Sequence, residues 1–269
     1  MRATLRYLPL LLLLTAAATA FGQAPSSLFI EDLTSPELAA AIRAGKTTIL
    51  VPIGGTEQNG PHMALGKHNV RARALAQKIA LELGNAVVAP VIAYVPEGNV
   101  NPPTGHMRYP GTITVPPDVY GRVLESAARS LRLAGFRDIV FLGDSGDYQS
   151  VNQKVARDLD REWAGADTRV HAIAEYYRAA TDGYWRTLKS RGHADAEIGP
   201  HAGLADTSLM LAIDPRLVRA DKLAPAPGQA TLPGVTGDPR RASAELGQVG
   251  VDAIVAQSVA AIRTSVARR

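Results

Sequence analysis

The chain has 269 residues, of which 46% are hydrophobic and 20% are charged, and it contains six His and no Cys. This composition is that of an ordinary globular protein, and it excludes a disordered chain, a disulfide scaffold, a thiolate metal site and a Cys nucleophile. The net charge of +4 is small for this length and gives little support to nucleic-acid binding.

The N-terminus has the three regions of a secretory signal peptide in their usual order. Arg2 and Arg6 precede an apolar run over residues 8–14, and small residues follow up to Ala20. We therefore predict a signal peptide over residues 1–22, cleaved near residues 20–22, and one mature domain over residues 23–269. Cleavage removes two basic residues and no acid, so the net charge falls from +4 to +2.

The signal peptide predicts a periplasmic or secreted protein. Its apolar run is shorter than the roughly 20 residues that span a membrane, and we expect no later segment to do so. The sequence therefore predicts no stable membrane anchor and no nucleic-acid partner.

Short apolar runs alternate with amphipathic segments along the rest of the chain. We predict strands over residues 47–53, 86–95, 138–142 and 169–174. Helices are predicted over residues 70–83, 118–134, 149–163, 177–191, 207–213 and 242–266, with Pro/Gly-rich loops over residues 96–110 and 225–241. This alternation indicates βαβ units and a mostly parallel sheet with both faces covered. Ligands bind such sheets at the carboxyl ends of the strands.

The loop after the first predicted strand carries several side chains that can bind a metal. Glu57, Asn59, His62 and His68 lie within residues 54–69, and carboxylate, amide and imidazole groups all ligate divalent ions. The spacing leaves open a turn in which Glu57 caps backbone amides and the His side chains are solvated.

Two further clusters follow later strands. Asp144, Ser145 and Asp147 come after residues 138–142, where the carboxylates could bind metal or act as acid and base. Alternatively, Asp147 caps the next helix. His201 precedes Asp206 at the start of another helix, where Asp206 is a normal cap and His201 has no capping role.

The remaining three His residues carry weaker signals. His106 lies in the Pro/Gly-rich loop and could line a pocket or bond to its own loop. His171, in a predicted strand, and His193, in a polar turn, are predicted to be structural.

Taken in order, these segments resemble the creatininase family. Residues 54–69 resemble its G-x-x-E-x-H-G-P-H-L-P-L-x-x-D loop, and residues 109–113 its F-P-G-T-I segment. Residues 135–148 resemble G-F-x-x-I-V…N-G-H-G-G-N, residues 201–208 resemble H-A-G-E-x-E-T-S, and residues 237–247 resemble G-D-P…A…G. The resemblance implies a three-layer α/β/α sandwich with a mostly parallel sheet. It also implies metal-dependent hydrolysis of a cyclic or linear amide, and a homo-oligomer that by analogy is a hexamer.

The family's metal ligands are only partly present. Glu57 matches the first Glu ligand, but Asn59 stands where the family has a His ligand. His68 replaces the Asp that can bridge two metals, and a neutral imidazole cannot bridge as a carboxylate does. The resemblance therefore does not carry over a complete two-metal site.

The later family motifs depart in the same way. Ser145 stands at the family's His, and Asp147 at a position that is Glu in creatininase and Gly in many relatives. Leu204 replaces the Glu of H-A-G-E, whereas His201 is kept.

From these residues we predict one divalent ion, Zn, Mn or Fe, with Glu57, His68 and Asp147 as ligands. Asn59 or Asp144 would complete the set, which leaves a position for water. Glu57 or Asp147 would move protons, and His201 would orient or protonate a small-molecule amide substrate. The residues expected to contact the substrate are His62, His106, Ser145 and Asp206.

Three functions remain open on the sequence. The first is an exported hydrolase of a C–N amide bond. The second is a non-catalytic small-molecule-binding or scaffold protein on the same fold. The third is a metal-free enzyme that uses Asp144, Asp147 and His201.

Overall fold

A four-stranded parallel sheet forms the centre of the computed structural model, which describes residues 27–267. The strands are β1 (Thr48–Ile53), β2 (Ala86–Val88), β3 (Asp138–Gly143) and β4 (Arg169–Ala172), in the order β2-β1-β3-β4. All six positions of both β1 and β3 are buried, which explains their continuous apolar character. The predicted signal peptide lies outside the described residues and stays a prediction.

Helices connect the strands and cover both faces of the sheet. They are α1 (Ser35–Arg43), α2 (Lys67–Leu83), α3 (Pro117–Leu133), α4 (Gln149–Glu162), α5 (Ala174–Arg178), α6 (Trp185–Ser190), α7 (Asp195–Ile198), α8 (Leu204–Ile213) and α9 (Ala244–Val266). A π-helical turn, Ala179–Tyr184, joins α5 to α6. The predicted helix over residues 177–191 is therefore part of a longer helical run.

Alternate strand residues divide the core into two layers. Leu50 and Val140 pack with residues of α2, α8 and α9 on one face of the sheet. Ile49 and Phe141 pack with residues of α3 and α4 on the other face, where partly buried residues of α1 join them. The predicted three-layer α/β/α sandwich with a parallel sheet is confirmed.

The predicted strand over residues 86–95 is much shorter in the structure. It ends at Val88, and only an isolated bridge between Ile53 and Ile92 continues the pairing. Pro90 lies between them and has no N–H to donate to a ladder. The following loop carries a short 3-10 turn, Gly105–Arg108, that positions His106.

One helix contradicts the expectation that no later segment is apolar enough to span a membrane. α9 is long and apolar enough to do so by length and composition. In the structure its buried residues, among them Val251, Ile254 and Ile262, belong to the core under the sheet.

The backbones of α8 and α9 approach each other at Gly247. A Cβ atom built on Gly247 would overlap the main-chain carbonyl of Ser208 and come within 2.9 Å of Ala212 Cβ. Only glycine allows this separation, because the neighbouring atom is backbone and cannot rotate away.

We predict that Gly247→Ala lowers the free energy of unfolding by about 2–3 kcal/mol, because the added methyl group forces two packed helices apart. Gly121→Ala in α3 is the matched control, since its nearest neighbouring atom would be 3.6 Å away. That variant should be neutral or slightly stabilising. Urea unfolding measures both, and equal effects of the two substitutions would contradict the prediction.

Candidate functional site

The site lies at the carboxyl ends of β1 and β3, as expected for a parallel sheet. The loop after β1 supplies Glu57, and the residue after β3 is Asp144. The buried Tyr148 hydroxyl accepts hydrogen bonds from the N–H groups of Asp144 and Ser145, at 3.1 and 2.9 Å. It also lies 2.6 Å from the Gly54 carbonyl oxygen. Tyr148 thus fixes the two strand ends relative to each other.

His68, near the start of α2, lies between two carboxylates. Its Nε2 is 2.9 Å from Glu57 Oε1, and its Nδ1 is 2.6 Å from Asp144 Oδ2. Asp144 also accepts hydrogen bonds from Arg71 Nε at 2.8 Å and from the Tyr176 hydroxyl at 2.9 Å. Both ring nitrogens of His68 and both oxygens of Asp144 therefore have protein partners.

Two cations extend these contacts to Asp206. Arg71 Nη1 donates to Asp206 Oδ1 and Lys67 Nζ donates to Asp206 Oδ2, each at 2.7 Å. Lys67 Nζ also lies 3.8 Å from Glu57 Oε1. Lys67 is 0% exposed and Arg71 is 4% exposed, so water screens their charges weakly. We refer to the following six residues as the ionic network: Glu57, Lys67, His68, Arg71, Asp144 and Asp206.

Charge outweighs burial in setting the pKa values of this network. Burial and the Lys67 charge lower the pKa of His68, but its carboxylate partners outweigh them and raise it. Burial raises the pKa of Glu57, but His68 and Lys67 hold it well below its usual range. Burial also opposes ionisation of Asp206, whose two basic partners keep its pKa far below normal. With His68 protonated, the network has three carboxylates, three cations and no net charge.

Two His residues from distant loops approach the Glu57 carboxylate. His106 Nε2 is 3.3 Å from Glu57 Oε2, and His201 Nδ1 is 3.6 Å from Glu57 Oε1. Their ligand atoms lie within 4.8 Å of one another, and no other set of three His or acidic residues in the described chain meets this criterion. Of the predicted set, Glu57 and His68 are in contact at 2.9 Å, whereas Asp147 forms no such cluster with them. We refer to Glu57, His106 and His201 as the three-ligand cluster.

The surroundings of His201 favour an orientation and a neutral charge state that suit cation binding. Its Nε2 lies 3.0 Å from the main-chain oxygen of Gln58 and 3.1 Å from the Gln58 side-chain nitrogen. In the tautomer that donates to the carbonyl oxygen, the Nδ1 lone pair faces Glu57. Burial and the Lys67 charge lower the pKa of His201 to about 4, so the ring is neutral at neutral pH, as a metal ligand must be. The Gln58 side chain lies 2.9 Å from His106 Nδ1 and holds the second ring.

Another carboxyl group, that of Glu97, lies buried beside this cluster. Neither of its oxygens has a hydrogen-bond partner among the described residues. Burial and the Glu57 charge raise the pKa of Glu97 to about 9. Gly55, at φ +153°, makes room for it, because a Cβ there would lie 2.6 Å from Glu97 Oε1. With this pKa Glu97 is uncharged at neutral pH, and its two oxygens are buried beside Glu57 without partners in the described part of the chain. A divalent cation at Glu57 would favour the ionised form of Glu97, so the structure fits one metal ion at the three-ligand cluster.

Two cavities meet at the cluster. The first, of about 310 Å³, is lined by the ionic network, by His106 and His201, and by the aromatic side chains of Tyr177 and Trp185. The second, of about 790 Å³, shares His106 and Asp147 with the first. Asp147 thus lies where the cavities join, and its side chain makes no capping bond to α4.

The other predicted site residues fall into two groups. Ser145 and Asp206 line the first cavity, although Asp206 is already bonded within the ionic network. Asn59 and His62 line neither cavity. The Asn59 amide donates to the Glu57 carbonyl inside its own loop, and His62 Nε2 lies 3.0 Å from Thr207 Oγ1. These two positions are structural here, because the loop turns their side chains into the protein interior.

Four residues at the site were not predicted from the sequence: Lys67, Arg71, Gln58 and Glu97. Arg71 had a detectable signal, since it shares the buried helical face of Leu75 and Ile79 and a cation on such a face requires acidic partners. The other three carry no local pattern, because their partners are distant in sequence.

The buried His62 predicts a pH dependence of stability. Burial lowers the pKa of His62 to about 4, whereas an unfolded chain has a value near 6.5. Between pH 6.5 and pH 4, His62 is protonated in the unfolded state but stays neutral in the folded state. Stability should therefore fall by up to about 3 kcal/mol from pH 6.5 to pH 4. Urea unfolding across this range should show a shallower decline for His62→Gln than for the unaltered protein, and parallel curves would contradict the assignment.

Comparison with known proteins gives consistent results. The family model for creatininase (creatinine amidohydrolase) matches residues 31–262. Creatinine amidohydrolase of Pseudomonas putida is 26% identical over 88% of this chain and 96% of its own length. The mycofactocin precursor peptide peptidase of Mycobacterium ulcerans is 28% identical over 75% of this chain and 78% of its own.

A solved structure of creatininase with Mn superposes with a TM-score of 0.71 at 25% identity, covering 89% of this chain and 99% of that one. The fold, the ordered motifs and the family match agree over nearly the whole described chain. The chain belongs to the creatininase family.

Proposed function

We propose that this protein is an exported hydrolase of a C–N amide bond that works with one divalent ion, Zn, Mn or Fe. The observation that carries the proposal is the three-ligand cluster, whose ligand atoms lie within 4.8 Å of one another beside a cavity. Relatives named as an amidohydrolase and as a peptide peptidase support amide hydrolysis.

One carboxylate and two neutral imidazoles form a ligand set of the catalytic type, with a position left open. A divalent ion bound there supplies Lewis acidity towards water and an amide carbonyl. The protein's own residues supply the rest of the site. Gln58 orients both imidazoles, and the ionic network fixes Glu57.

Asp147 is the acid–base candidate among the side chains that remain free. It lies at the junction of the two cavities, within reach of groups on either side of a bound amide. His201 is proposed here as a metal ligand rather than as the group that protonates the substrate, because its pKa of about 4 keeps it neutral.

The volumes of the two adjoining cavities indicate the size of substrate that the site can hold. A volume of about 310 Å³ holds a small amide, and the second cavity gives room for a further substituent on the other side of His106. The substrate class remains a cyclic or linear amide. A metal-free enzyme that uses Asp144, Asp147 and His201 is less favoured, because Asp144 already bonds to three side chains. These are His68, Arg71 and Tyr176.

Export to the periplasm or the medium, and assembly into a homo-oligomer, remain part of the proposal. The signal-peptide pattern of residues 1–22 supports export. Family analogy alone supports the hexamer.

We predict that the mature protein, purified without chelator, retains about one divalent ion per chain. His106→Ala and His201→Ala should each weaken metal binding by at least about 100-fold. Even the loss of a group that only hydrogen-bonds a metal ligand lowers metal affinity about 10–100-fold. His193→Ala is the control, because His193 pairs with Glu197 and lines neither cavity. Elemental analysis after dialysis measures the ratio.

Activity completes this test. Creatinine, N-acyl amides and short linear peptides are offered to the metal-loaded protein, with and without chelator. Hydrolysis that stops in chelator supports the proposal. A metal-free protein whose hydrolysis survives chelator contradicts it, and a metal-bound protein that hydrolyses none of these compounds favours the non-catalytic reading.

A further inference from the structure

The ionic network lies where the family pattern places a residue that can bridge two metals. That position is His68, and its two ring nitrogens are occupied by Glu57 and Asp144. The imidazole therefore links the two carboxylates by hydrogen bonds. An ion cannot occupy the same gap without displacing the ring.

A tethered cation already occupies a second gap. Lys67 Nζ lies 2.7 Å from Asp206 Oδ2 and 3.8 Å from Glu57 Oε1, and the residue is 0% exposed. This ammonium group is held between two carboxylates, as a metal ion would be. A second free cation beside it would meet strong repulsion, because the surroundings screen charge poorly.

Arg71 engages the other two carboxylates of the ionic network. Its guanidinium group bonds to Asp144 through Nε and to Asp206 through Nη1. A further divalent ion would have to break these bonds and would lie close to two fixed cations, the Lys67 ammonium and the Arg71 guanidinium.

We infer that Lys67 and Arg71 take the electrostatic place of a second metal ion, so that this chain binds one divalent ion and excludes another. This inference rests on the proposed one-ion site at the three-ligand cluster. Lys67 is a positioning residue in this account, because it acts through Glu57 and Asp206 and not on the substrate.

The test is the difference in Mn²⁺ content between two forms of the mature protein. Each is dialysed against excess Mn²⁺ and then analysed for metal per chain. The unaltered protein should hold no more than one ion, and Lys67→Met should hold about one more than the unaltered protein. Lys78→Met, an exposed site on the same helix, is the control and should match the unaltered protein.

A melting-temperature series gives a second readout that needs no activity. Added Mn²⁺ should raise the melting temperature of Lys67→Met further than that of Lys78→Met, because the ion replaces the lost ammonium group. Two ions in the unaltered protein overturn the inference, and this result does not depend on whether the variant folds. A folded Lys67→Met protein with no extra ion and no extra stabilisation overturns it as well.

These outcomes separate the inference from the proposed function. The number of Mn²⁺ ions per chain in the unaltered protein, together with the hydrolysis assay, tests the proposed one-ion hydrolase. The additional ion expected in Lys67→Met tests the role of the ionic network. An unaltered protein without metal, paired with a variant that gains one ion, supports the exclusion of an ion by Lys67 and contradicts the one-ion site on which the proposed function rests.

Discussion

The buried contact between His68 and the Glu57 and Asp144 carboxylates holds the site together. It joins the loop after β1, the start of α2 and the end of β3 in one chain of hydrogen bonds of 2.6 and 2.9 Å. Buried carboxylates are tolerated only when cations or donors neutralise them. Lys67 and Arg71 therefore have to be present, and through Asp206 they also fix the start of α8.

This constraint divides the site into two functional halves that share Glu57. One oxygen of that carboxylate is held by His68, and the carboxylate also faces His106 and His201. The ionic half sets the position and charge of Glu57. The imidazole half offers ligand atoms beside both cavities, and the ionic half holds Glu57 in position for it.

The sequence predicted the layers of this fold but not the partners in its site. Alternation of apolar runs and helices gave the parallel sheet, and the motifs located His68, Asp144 and His201 near its carboxyl edge. Spacing cannot show that His68 turns both nitrogens towards carboxylates, or that His106 comes from a loop about 50 residues away in sequence to meet Glu57. Those contacts depend on tertiary packing. Among the residues that were not predicted, only Arg71 lies on a helical face whose periodicity could have identified it. The expectation that no later segment is apolar enough to span a membrane was wrong for α9 by length and composition.

We propose a metal position at the three-ligand cluster, because His68 fills the gap where the family pattern has a bridging residue. Anomalous diffraction from crystals grown with Mn²⁺ or Zn²⁺ tests it most directly, because it locates the ion without reference to activity. A one-ion site predicts one anomalous peak per chain, within bonding distance of Glu57, His106 and His201. A peak between Glu57, His68 and Asp144, or two peaks in one site, would contradict it.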